Sequence, residues 1–163
     1  MRVLPFPCIR TEAAAYVAGH PRSFLAIDRP ETQFPPEQDM YAPEVYARAA
    51  ELLREHIEDG TYIEDRTRAY YIYELAWQGH VQTGLVGVCA IDEYEDGTIK
   101  RHELTRQEKE RDRIEHIRAL GCQTGPIFLT YRDEPVLGII IAAAKEGSPL
   151  YSFADGDGVR QTV

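Results

Sequence analysis

Cysteine is scarce and unpaired in this 163-residue chain: Cys8, Cys89 and Cys122 contain no C-x-x-C pair. A disulfide framework and a zinc site are therefore not indicated, and buried or incidental thiols are expected. No apolar run approaches the roughly 18 residues that a bilayer span needs. The opening stretch MRVLPFPCIR has no apolar signal-peptide core, so a cytoplasmic protein without a membrane partner is expected. Positive charge is short as well: 18 Lys and Arg stand against 27 Asp and Glu, a formal charge of −9. A general nucleic-acid binder needs a cationic footprint to displace counterions, so nucleic acid is disfavoured as a partner. The stretch Asp155-Gly156-Asp157-Gly158 lacks the ligand spacing and closing glutamate of an EF-hand, and no metal site is expected.

What is present, 44% hydrophobic and 28% charged residues, fits one globular domain over 1–163. Pro5 and Pro7 give an extended start, and Thr11 caps a short Ala-rich helix to about Val17 that Gly19 stops. Phe24 to Ile27 reads as a short strand. Prolines 30, 35, 36 and 43 then impose a long ordered loop for which Phe34, Met40 and Tyr41 are the candidate anchors.

Pro43 suits the first turn of a helix to about Asp59, where Val45, Ala49, Leu52, Leu53 and Ile57 form the apolar stripe. Ala69 to Ala76 alternates like a strand, and Gln78-Gly79 turns it into a second strand over Val81 to Ile91. Gly84 and Gly87 in that strand imply a bulge or a close backbone approach. Asp92 to Thr98 reads as an acidic turn. A third strand is expected at Ile127 to Tyr131, a helix from Glu134-Pro135 to about Ala144, and a closing hairpin from Leu150–Phe153 to Val159–Val163.

The most informative stretch is IKRHELTRQEKERDRIEHIRALG, residues 99–121. Thr105 and Glu108 have the spacing of a capping box, which starts a helix at Arg106, and Gly121 suits its left-handed stop. Residues three and four apart share a helix face, so Arg106, Lys109, Arg113, Ile117 and Leu120 fall on one side, basic at its start and apolar at its end. Together with Lys100, Arg101, His102 and Glu103 before it, that side would suit a phosphate or carboxylate at a positive helix N-terminus. The same spacing also suits cations whose stems cover apolar surface and whose heads pair with carboxylates, and spacing alone favours this second reading. Arg113, at the boundary, is expected to be at least half buried and to meet a carboxylate or a cleft.

The stretches PRSFLAIDRPE (21–31), QTGLVGVCAIDEYEDGTIKRHELTRQEKERDRIEHI (82–117), GPIFLTYRDE (125–134) and YSFADGDGVRQTV (151–163) carry a resemblance. Over nearly the whole chain from about Pro21 it resembles the N-terminal part of the domain of unknown function 1015 family. That family is similar to archaeal free-serine kinases, which phosphorylate L-serine with ADP, and both fall in the ParB/sulfiredoxin superfamily. The resemblance implies an α+β fold with a mixed, mostly antiparallel sheet and helices packed on it, as an incomplete N-terminal portion of a longer, kinase-like protein. It also implies small-molecule phosphoryl transfer, with ADP or ATP and magnesium as cofactors and a serine-like acceptor. The Asp-Gly-His-His-Arg motif that family members carry at the nucleotide phosphates does not occur in this sequence.

Three functions follow as expectations. In a kinase-like domain, His102 or Glu103 deprotonates an acceptor hydroxyl while Lys100, Arg101, Thr105, Arg106, Lys109 and Arg113 hold phosphate or carboxylate oxygens. In a non-catalytic remnant, the same groups bind an anion or substrate, and a homo-oligomeric or complementing C-terminal chain completes the sheet. A ParB-like DNA-binding role is the third, opposed by the charge. For the isolated chain the remnant is the favoured expectation, with weak or no nucleotide binding and no turnover of serine.

Overall fold

A computed structural model describes residues 10–101 and 105–163. The elements in chain order are α1 (Arg10–Gly19), α2 (Leu25–Asp28), a 3-10 turn (Pro30–Gln33), α3 (Pro43–Glu58), β1 (Tyr71–Trp77), β2 (His80–Val86), α4 (Ile91–Glu95), α5 (Gln107–Leu120), α6 (Pro135–Ala144), β3 (Ser152–Ala154) and β4 (Arg160–Thr162). These helices and antiparallel strands make the chain α+β. They divide into two units, a helical one from the described residues of 4–65 and 102–128 and a sheet unit from Arg66–Arg101 and Leu129–Val163.

The helical unit contains the apolar core. Val45, Tyr46, Ala49 and Leu52 recur at helical spacing on α3 and are buried, and Val17 of α1 and Ala26 and Ile27 of α2 pack with Ala49 and Leu52. Ile57, expected on the stripe, is exposed, and His56 takes the buried place. Where a strand was expected over Phe24 to Ile27, Leu25–Asp28 is a helix with Phe24 as its N-cap residue. Short apolar runs fit either period. Here Ser23 accepts the Ala26 amide on its carbonyl, and adjacent Ala26 and Ile27 are both buried, a pattern that a strand with alternating faces does not give.

Arg10 organises the proline-rich segment. Its guanidinium donates to the carbonyls of Glu31, Pro35, Pro36 and Gln38 at 2.9–3.1 Å, so one side chain satisfies backbone groups that the prolines keep out of regular structure. The anchor is thus a cation from α1, whereas Tyr41 is partly exposed.

In the sheet unit the strand order is β2-β1-β4-β3 and every ladder is antiparallel. Gln78 and Gly79 both have positive φ, 49° and 82°, as a two-residue hairpin between right-twisted strands requires. The second strand stops at Val86. A Cβ at Gly87 would lie 2.8 Å from the Tyr70 ring, so its missing side chain serves a close aromatic approach and not a bulge. Ile91–Glu95 is one helical turn where strand and acidic turn were expected. Ile127 to Tyr131 forms no strand: the run has no ladder partner among the described residues, and Ile127, Phe128 and Tyr131 are exposed where the chain passes from one unit to the other. The expected closing hairpin is present, its turn held by Asp155, whose carboxylate accepts the amides of Asp157 and Val159 and the Gln161 side chain. Among the described residues no helix is long and apolar enough to cross a membrane.

Candidate functional site

The residues that bear most chemistry lie along α5 in the helical unit. Its start differs from the expected one. Arg106 is the N-cap residue, and no side chain caps the helix, so Thr105 and Glu108 form no capping box. The extended backbone of Arg106 places Thr105 outside the first turn. The far end agrees with the sequence: Gly121 has φ 72° and donates its amide to Ile117.

The buried line of α5 is also rotated by about one residue from the expected one. His116 is buried and Leu120 packs against the core, while Ile117 is 41% exposed. The reason is a polar contact. The His116 Nε2 lies 2.9 Å from the Ile27 carbonyl, which the short α2 leaves open, and its Nδ1 lies 3.4 Å from the Thr124 hydroxyl. A ring that donates from Nε2 satisfies the carbonyl, and the Thr124 hydroxyl can serve the other nitrogen. Four residues earlier, Asp112 accepts from the Tyr46 hydroxyl at 2.9 Å, and the Tyr46 ring meets His116 edge-on. Burial, and then the hydrogen bond and charge of Asp112, push the Tyr46 phenol well above its usual range, so it is a donor and not a base.

The cations follow on the flank of that line. Arg113 lies 3.3 Å from Asp28 at the end of α2; its side chain is 50% exposed and that of Asp28 is 24%. The expected carboxylate partner is therefore present, at the margin of the burial expected. Lys109, one turn earlier, places its ammonium 3.3 Å from the Tyr41 hydroxyl and 5.9 Å from the centre of that ring. Each cation still has donors facing water. On another side of α5, a groove of about 1110 Å³ runs along α3, with Ala47, Ala50 and Ala119 among its small residues and Arg54 and Arg111 among its cations.

Of the candidate site residues, Arg113 thus meets Asp28, and Lys109, one turn earlier on α5, meets Tyr41. Arg106 and Thr105 are exposed at the start of α5. Lys100 and Arg101 belong to the sheet unit, where Lys100 donates to the Gly97 carbonyl at 3.3 Å and the Arg101 guanidinium lies 4.9 Å above the Tyr94 ring. His102 and Glu103 lie outside the described residues. Sequence reasoning missed Asp28, Tyr46, Asp112 and His116 as members of one cluster. The spacing of Asp112 and His116 at i and i+4 was the available signal.

Among the described residues no group of three His, Cys, Asp or Glu could hold a metal ion. Cys89 and Cys122 are exposed free thiols, so of the two expected forms, buried or incidental, they take the incidental one. Residues 8–163 match the model of the family described as protein of unknown function, DUF1015. No curated protein and no solved structure matches the chain.

Proposed function

This chain belongs to the DUF1015 family, and we propose that it is a serine-kinase-like domain that holds a small acceptor for phosphoryl transfer on the flank of α5. The observation that carries this reading is the placement of one carboxylate, Asp28, against Arg113 with Lys109 one turn away, all partly open to water. A serine-like acceptor carries an ammonium and a carboxylate. Asp28 complements the first, and the two cations complement the second. In this proposal His102 or Glu103 takes the acceptor hydroxyl's proton, and ADP or ATP with magnesium supplies the phosphoryl group. Such chemistry is mostly positioning and electrostatics, so a surface that orients the acceptor is a substantial part of it.

The test is titration of the labelled chain with L-serine and O-phospho-L-serine, following the amide signals of 28–31 and 106–116. Saturable shifts there that Arg113→Ala removes are the expected result; no shift at millimolar ligand would sink the acceptor site. Phosphoserine formed from ADP or ATP with magnesium, and lost in Glu103→Gln, is the result expected of a kinase.

A non-catalytic binding remnant completed by a partner chain is the second reading, and one observation favours it. The helix α6, PVLGIIIAAA, has no buried residue, and Val136, Ile139 and Ile140 are more than half exposed. Helices apolar on all sides are normally covered. Binding of serine or phosphoserine without turnover separates this reading from the first.

A further inference from the structure

We infer that the free edge of β2 is a self-association surface, through which two copies of the chain pair antiparallel about Thr83. The inference is independent of the proposed function. In the order β2-β1-β4-β3, β2 pairs with β1 over seven residues, and no described residue pairs with its other side. An open strand edge is a template for another strand, and proteins normally blunt it with lysine, proline, a bulge or a short length. This edge has none of these. From Leu75 to Ile91 the sequence has no Asp, Glu, Lys, Arg or Pro, and β2 matches β1 residue for residue. Apolar side chains stay open along it, Val81 at 61% and Leu85 at 42%.

The occupant is a second copy for two reasons. The first is charge. In a chain of net charge −9, this 17-residue stretch is one along which two copies approach without opposing like charges. The second is self-complementarity. Antiparallel pairing about Thr83 sets Val81 opposite the second copy's Leu85 and Leu85 opposite its Val81, with Gln82 opposite Gly84, so apolar meets apolar twice across a two-fold axis. The other edge, β3, has only three residues and offers a much shorter ladder.

Sedimentation velocity of the whole chain from micromolar to several hundred micromolar is the test. A reversible monomer–dimer equilibrium is expected. The double variant Val81→Lys/Leu85→Lys opposes lysines across the axis and should raise the dissociation constant roughly tenfold or more, with an unchanged circular dichroism spectrum. Amide exchange of the unaltered chain serves if that variant does not fold: exchange over 80–86 should slow as concentration rises, while that of 152–154 should not. Monomers throughout the range, a dimer indifferent to both lysines, or protection confined to 152–154 would each overturn the inference.

Discussion

Asp28 at the end of a four-residue helix and Arg113 in the middle of α5, 85 positions apart in sequence, meet at 3.3 Å, and beside them the Ile27 carbonyl meets the buried His116. One pair is half open to water and the other is closed from it. That difference in burial separates a group available for binding from one that fixes the helix.

The Asp28–Arg113 pair should matter little for stability. A half-exposed ion pair is screened by water, so a double-mutant cycle with Asp28→Asn and Arg113→Gln should give a coupling of about 1 kcal/mol or less. Urea midpoints of the four chains measure it. A coupling several times larger would mean that the pair is structural rather than available.

His116 should behave in the opposite way. Replacing it with Phe keeps the ring but leaves the buried Ile27 carbonyl without its donor, at a cost of about 1–3 kcal/mol. Equilibrium denaturation reads this directly, and His116→Gln, which keeps an N–H donor, should recover part of the loss.

Arg10→Ala removes donors from four carbonyls at once. Two of these bonds are exposed and two are partly buried, so the loss should be about 2 kcal/mol rather than the sum of four charged hydrogen bonds. Limited proteolysis should show faster cleavage within 31–38, while cleavage after Arg54 on α3 stays slow.

Acid should loosen the sheet unit through two carboxylates. Hydrogen bonds from Lys145 and then Thr83 hold Glu74 below its usual range; at Asp155 burial pushes upward, but the Gln161 amide and two backbone amides outweigh it. Both folded values are depressed, so this stability is present above the ordinary carboxylate pKa of about 4 and is lost as pH falls through the folded values. Melting curves taken downward from pH 6 should fall less steeply for Glu74→Gln than for the unaltered chain. Equal slopes would remove Glu74 from the account.

Local chemistry by itself determined several parts of this protein. Pro43 set the start of α3, and its apolar spacing set most of the buried face; Gln78-Gly79 set a hairpin, and Gly121 set the end of α5, because each of these depends on backbone sterics or periodicity within a few residues. The basic start of α5 was legible too, and so was Arg113's need for a carboxylate. What only the tertiary structure decided were choices between local options of similar energy. Leu25–Asp28 became a helix and Ile127 to Tyr131 joined no sheet among the described residues, since a short apolar run takes the form that its packing partners reward. The rotation of α5 that buries His116 instead of Ile117 followed from an unsatisfied carbonyl 89 positions away, and no spacing within the helix can register that donor's absence.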